Sequence, residues 1–197
     1  VCTLRNRPEF HDPDGHAEKL GISSAVWPLF GVIWPASLVL AHCIDDHPTH
    51  AKRILEVGCG IGLSSLLLNK KQQDVTATDY HPEANAFLQR NTALNNDPEI
   101  TFERVDWSTK QDTLGLFDLI IGSDLLYEDE HVELLATFIA AHAKPQCEVI
   151  VVDPGRKRKN KLSTRMKEFG FKSEQQKPAH TEYLNDEFKG HILTYTR

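Results

Sequence analysis

The chain has 197 residues, of which 40% are hydrophobic and 25% charged, and its 28 acidic and 22 basic side chains give a formal charge of −6. Those values describe one soluble globular domain of ordinary size and exclude disordered, collagenous and coiled-coil chains. An acidic chain is a poor general binder of nucleic acid, although a local basic patch can still act.

Residues 1–24 are polar and irregular, with Pro8, Pro13 and Gly15, and read as an arm. The apolar stretch Ala25–Ala41 is interrupted by Pro28, Gly31 and Pro35, so no membrane span is expected. Pro35 suits the first turn of a helix running to about Ile44. Residues 1–50 are thus expected to be an arm and a helix covering a ligand site, with the main domain at 51–197. No secretory or transit signal is visible, and the four scattered cysteines, without CxxC spacing, argue against a disulfide scaffold or zinc ribbon. A reducing, cytoplasmic setting is expected.

From residue 52 strands and helices alternate. Arg53–Val57 is a buried strand, followed by a helix over Gly62–Leu68 with Leu63, Leu66 and Leu67 at helical spacing. Val75–Thr78 is a strand closed by Asp79. Pro82 opens a helix whose apolar face is expected to be Ala86, Phe87, Ala93 and Leu94. Strands follow at Ile100–Val105 and Phe117–Gly122. A helix over about Asp129–Ala143, turning Val132, Leu135, Phe138 and Ile139 inward, is expected to end at Pro145. Glu148–Val152 is a fifth strand, Lys157–Phe169 a basic helix, and Phe171–Gln176 and His191–Tyr195 two final strands. Five strand–helix units and two closing strands describe an α/β fold: a mostly parallel sheet with helices on both faces. Ligands bind such sheets at the carboxyl ends of the strands.

Three of those ends carry chemistry. Gly58-Cys59-Gly60-Ile61-Gly62 follows the first strand. Its GxGxG spacing puts Leu63 where a dinucleotide fingerprint needs its third glycine, and no GK[ST] follows, so nicotinamide and nucleoside-triphosphate sites are disfavoured. A tight strand–helix corner would use such a loop too. Asp79, 21 residues after Gly58, is placed to accept from both hydroxyls of an adenosine ribose. Asp106 is placed to accept from an adenine amino group, with Trp107 as a flat face beside it. Each acid alone could cap a strand end; together they point to an adenosyl ligand.

The segments LEVGCGIG, TATDYHPEA, RVDW and FDLIIGSDLLY resemble, in order and spacing, the class I S-adenosylmethionine-dependent methyltransferases. Trp34-Pro35-Ala36 and the DxxY motif Asp124–Tyr127 resemble the protein-lysine methyltransferase-like group. Asp153-Pro154-Gly155-Arg156 is similar to the branch that methylates the electron-transfer flavoprotein β-subunit. The resemblance implies a Rossmann-like seven-stranded sheet with its last strand antiparallel. It implies S-adenosyl-L-methionine as cofactor and S-adenosyl-L-homocysteine as product. Gly58, Cys59 and Gly60 would face the methionine part, Asp79 the ribose, and Asp106 with Trp107 the adenine. Ser123 would line the pocket, Trp34 would close it, and Glu56 and Tyr80 join the cofactor-binding set. Asp124 and Tyr127 would be catalytic. The carboxylate orients a lysine amine, whose pKa of about 10.4 must be overcome, and the ring forms a wall.

Leu125-Leu126 replaces the Pro-Pro of base-amino methyltransferases. The acceptor is therefore expected to be an amine on a protein, with a small molecule, an RNA or a non-catalytic ligand-binding scaffold as the alternatives. The 156–167 stretch has seven cations and no acid, and reads either as a patch for an acidic partner or RNA or as a solvated helix face. His42, Cys43, Asp45, Asp46, His47 and His50 lack zinc-motif spacing, so no metal is expected. Cys59 reads as a packing residue. The loop Pro178–Lys189, with Tyr183 and Phe188, is a candidate for substrate selection, and a monomer is expected.

Overall fold

The computed structural model describes residues 1–5, 10–109, 113–127 and 129–197; Pro8 of the arm lies outside them. In the arm, α1 (His16–Lys19) and a 3-10 turn (Trp27–Gly31) precede α2 (Pro35–Asp45). The alternation then runs β1 (Arg53–Val57), α3 (Leu63–Lys70), β2 (Asp74–Asp79), α4 (Ala84–Leu94), β3 (Thr101–Arg104) and β4 (Phe117–Ser123). It ends with α5 (Asp129–His142), β5 (Ala143–Asp153), α6 (Lys159–Glu168), β6 (Lys172–Gln176) and β7 (His191–Thr196).

The seven strands form one sheet in the order β3-β2-β1-β4-β5-β7-β6. Neighbours from β3 through β5 are parallel, and β7 is antiparallel to both β5 and β6. This is the Rossmann-like sheet with an antiparallel last strand. The order reverses between β1 and β4, and that reversal opens a crevice at their carboxyl ends.

Strand alternation sorts the core into two layers. Leu55, Val57, Ile120, Val149 and Val151 face α5 and α6, where Leu135, Phe138, Leu162 and Met166 are buried. Ile54, Leu119, Ile121, Ile150 and Val152 face the other side, against Val39, Leu40 and Ile44 of α2, Leu66 and Leu68 of α3, and Leu88 of α4. The segment Trp27–Asp45 is long and apolar enough by composition to span a membrane. Here it is broken: Val32 and Trp34 are extended between the 3-10 turn and α2, whose inner face enters the second layer.

Two expectations are corrected. The inward face of α4 is Ala84, Leu88, Asn91 and Thr92, not Ala86, Phe87, Ala93 and Leu94; Leu94 is 62% exposed. Helical periodicity selects the most apolar stripe, but Asn91 and Thr92 are buried with their hydrogen bonds made. Asn91 Nδ2 donates to the Cys2 carbonyl at 3.1 Å, and Thr92 Oγ1 donates to the Gln89 carbonyl at 2.7 Å. Pro145 does not close α5 in a loop either. Helix α5 runs into β5 at Ala143, and Pro145 lies where β5 bulges away from β4, between the Phe117–Ala143 and Leu119–Glu148 pairs. A proline is tolerated there because the bulge needs no donor from it.

Candidate active site

The loop after β1 turns back on itself through three glycines with positive φ, Gly58 (+62°), Gly60 (+57°) and Gly62 (+73°). Cys59 N–H donates to the Thr78 carbonyl at 2.9 Å, which ties the loop to the end of β2. Gly60 N–H donates to Asp79 Oδ2 at 2.7 Å, and His81 N–H donates to Asp79 Oδ1 at 2.8 Å. One carboxylate therefore holds two backbone segments, the glycine loop and the turn after β2. Side chains are excluded at the loop: a Cβ on Gly58 would lie 2.5 Å from Leu125 Cδ2, and one on Gly60 would lie 2.9 Å from the Phe30 carbonyl oxygen. Burial pushes the Asp79 carboxyl up, against the pull of its amide donors.

Beside this loop lies a cavity of about 550 Å³. Its floor consists of strand ends: Gly58, Cys59 and Gly60 after β1, Asp79 and Tyr80 after β2, Asp106 and Trp107 after β3, and Ser123 at the end of β4. Tyr127, His131 and Leu134 close one side. The arm supplies the roof, with Ile22, Val26, Leu29, Phe30 and Trp34. Trp34 is fixed there by its indole N–H, which donates to the Leu29 carbonyl at 2.9 Å. The cavity thus gathers Trp34, Gly58, Cys59, Gly60, Asp79, Tyr80, Asp106, Trp107, Ser123 and Tyr127, residues spread over 94 positions, into one wall.

Two residues of the expected set do not line it. Glu56 follows the strand alternation to the α3 side, where Oε2 accepts from Ser65 N–H at 2.8 Å and from the Ser65 hydroxyl. Buried there, its carboxyl is pushed up to about 7. It joins the loop to the first turn of α3 from behind the wall. Asp124 is turned away by a left-handed backbone, φ +54°, unusual for a residue with a side chain. Its carboxylate, 7% exposed, accepts from Arg156 Nε at 2.6 Å. The Arg156 guanidinium in turn lies 4.5 Å over the Tyr127 ring. Burial, then the nearby Asp124 charge, hold the Tyr127 phenol well above its ordinary value, so it remains an O–H donor.

The structure adds residues that local sequence patterns do not reveal. His81 stacks on Phe30 with ring centroids 3.9 Å apart, and both line the cavity. Burial lowers its pKa to about 4, so the ring is neutral near pH 7, and Nδ1 accepts from Glu83 N–H at 3.2 Å. His131 stands edge-on to both Trp107 and Tyr127. The Tyr80 hydroxyl donates to the Leu20 carbonyl at 2.7 Å, which joins the β2 end to the arm. Residues 1–50 were expected to cover the site with Trp34 closing it, and in the structure the arm and Trp34 do line it from that side.

Other marked clusters are engaged elsewhere. Arg158 and Lys161 of the basic stretch both pair with Asp129, and Arg165 pairs with Glu133 and Glu168. With Arg156, four of its seven cations are held by carboxylates of the same molecule. His47 lies 2.8 Å from Glu148, and His42 stacks on Tyr183. Cys59 is buried, and burial with the nearby Asp79 and Glu56 charges drives its thiol well up, so it is a packing group and not a thiolate.

Comparison with known proteins agrees with this arrangement. A family model described as lysine methyltransferase matches residues 22–169. The protein N-lysine methyltransferase METTL21A of Xenopus tropicalis is 30% identical over 137 residues, 64% of this chain and 62% of that protein. The histone-arginine methyltransferase METTL23 of Rattus norvegicus is 34% identical over 114 residues, 53% of this chain and 50% of that protein. The chain therefore spans about half to three fifths of the length of these curated relatives. In fold it is similar to the ribosomal protein L11 methylase of Lactobacillus delbrueckii subsp. bulgaricus, with a TM-score of 0.66 at 20% identity, covering 82% of this chain and 78% of that one.

Proposed function

The chain belongs to the lysine methyltransferase family, and from that premise we propose that it transfers a methyl group from S-adenosyl-L-methionine to a lysine side chain of a protein. The residues fit that cofactor. Glycine at 58 and 60 lets main chain line the cavity where a Cβ would strike Leu125 or the Phe30 carbonyl, the Asp79 carboxylate lines it as an acceptor for a ribose diol, and Trp107 offers a flat face beside Asp106. When bound, S-adenosyl-L-methionine supplies a methyl group activated by a sulfonium sulfur.

The chain's own part is to bind, orient and exclude water. Apolar roof residues Ile22, Val26 and Leu29 keep water from the reacting atoms, and oriented approach alone is worth about 7–11 kcal/mol to such a displacement. The acceptor half rests on one observation: Tyr127, just beyond the end of β4, lines the cavity as an aromatic wall, with the Asp124 carboxylate held behind it by Arg156. Relatives named for lysine and for arginine support a protein amine as substrate.

The test incubates the purified chain with S-adenosyl-L-methionine carrying a labelled methyl group and with protein, RNA and metabolite fractions of a cell extract. Label in protein, recovered after hydrolysis as N-methyl-lysine, supports the reading. Recovery as methyl-arginine would move the acceptor, and label confined to RNA or metabolites would reject it. Asp124→Ala is expected to abolish transfer while calorimetry still detects S-adenosyl-L-homocysteine binding, whereas Asp79→Ala is expected to lose both.

A further inference from the structure

One cation serves both residues of the DxxY motif. Arg156, on the turn between β5 and α6, donates from Nε to Asp124 Oδ1 at 2.6 Å and lays its guanidinium 4.5 Å from the centre of the Tyr127 ring. Asp124 itself has little freedom. Its backbone is left-handed, and its N–H donates to the Val152 carbonyl at 2.9 Å.

A lone buried carboxylate is a poor partner for an amine nucleophile. A negative charge a few ångströms away favours the ammonium form and raises a pKa already near 10.4. Transfer needs the free amine. The nitrogen lone pair forms the new N–C bond, the C–S bond breaks with its electron pair left on sulfur, and the proton must already have passed to water. A carboxylate paired with a guanidinium carries no net charge toward the acceptor.

We propose that Arg156 is a positioning residue for the methyl acceptor: it pins Asp124 behind Tyr127 and offsets its charge, so that the wall facing a lysine amine does not favour the ammonium form. The inference rests on the lysine reading above. Other ionisable groups lie around the pair. Asp153, at the end of β5, is 2% exposed, accepts from Gly155 N–H at 3.0 Å and shares the Arg156 charge, while burial pushes its carboxyl up. Asp79 is committed to the amides of Gly60 and His81. Asp129 is paired with Arg158 and Lys161. His131 meets Tyr127 edge-on, 6.1 Å between centroids.

The test follows methyl labelling of an undermethylated protein extract from about pH 6.5 to about 10 for wild type, Arg156→Gln and Arg156→Lys. Alongside it run S-adenosyl-L-homocysteine calorimetry and the Arg156 Nε–H resonance of the nitrogen-15-labelled chain. Arg156→Gln is expected to bind S-adenosyl-L-homocysteine within about twofold of wild type and to label about tenfold more slowly at neutral pH. Its rise with pH should move about one unit to the alkaline side, so that it approaches wild type at the top of the range. Arg156→Lys, which keeps the charge, should recover most of the neutral-pH rate. The wild-type Nε–H should stay protected from exchange when S-adenosyl-L-homocysteine is added and lose protection in Asp124→Asn. Faster labelling by Arg156→Gln with an unshifted profile would overturn the proposal, since the guanidinium would then merely fill the acceptor's place. Equal slowing at every pH, loss of S-adenosyl-L-homocysteine binding, or an unprotected wild-type Nε–H would overturn it as well. A wild-type chain that binds S-adenosyl-L-homocysteine but labels no protein would instead overturn the lysine reading itself, and this role with it.

Discussion

Gly60 N–H and Asp79 Oδ2 lie 2.7 Å apart, so the loop after β1 and the end of β2 form one edge before any ligand arrives. The same glycine meets the arm on its other side, where the Phe30 carbonyl oxygen comes within 2.9 Å of the point a Cβ would occupy. Gly60→Ala should therefore fail twice, through a left-handed backbone and through a clash with main chain. The expected loss is about 1–3 kcal/mol of unfolding free energy and at least about tenfold in S-adenosyl-L-homocysteine affinity. Urea melts and calorimetry on the same preparation check both.

Trp107 is the flat face at the end of β3, half-buried, lining the cavity and edge-on to His131. Trp107→Ala should weaken S-adenosyl-L-homocysteine binding about tenfold, and Trp107→Phe should keep most of the affinity. Equal affinity in all three proteins would place the adenine elsewhere.

Glu56 makes stability depend on pH in a definite direction. Its carboxyl rises from an ordinary 4.5 to about 7 because burial disfavours the charge. Between those values the native chain keeps a proton that the unfolded chain has lost, so this group lowers stability as pH rises and has no further effect above the window. Glu56→Gln removes that dependence and keeps an oxygen for Ser65. Relative to wild type, the variant should gain about 3 kcal/mol between mildly acidic and mildly alkaline pH. Denaturant melts at the two ends measure the gain, and a constant difference would refute it.

Asn91 fastens the start of the chain to α4 from a fully buried position, with Nδ2 on the Cys2 carbonyl and Oδ1 accepting from Cys2 N–H. Asn91→Ala should cost about 1–3 kcal/mol by leaving these backbone groups unpaired. Hydrogen exchange should show loss of protection in residues 1–5 ahead of the sheet.

What the sequence made legible follows the range of the forces involved. The strands over Arg53–Val57 and Phe117–Ser123 are read easily because continuous Val, Ile and Leu runs next to a glycine or an acid are local signals. The site residues at strand ends were legible for the same reason. The inner face of α4 was not, because Asn91 is buried through a partner 89 positions away. Asp124 could be recognised, but its turn toward Arg156 could not, since the backbone angle and the cation both depend on β5 lying beside β4. His81 carries no local signal, because the Phe30 ring it stacks on belongs to the arm.

Helix α5 passes into β5 without a single connecting residue, His142 being followed at once by Ala143 in the sheet. The helix that brings His131 and Leu134 to the cavity is thus geared directly to a central strand, with no joint at which it could swing. The strand ends opposite are fixed by the sheet itself. The arm, by contrast, is held by the Tyr80 hydroxyl on Leu20 and by Asn91 on Cys2. The roof over the cavity therefore hangs on attachments at two separate points, the end of β2 and helix α4.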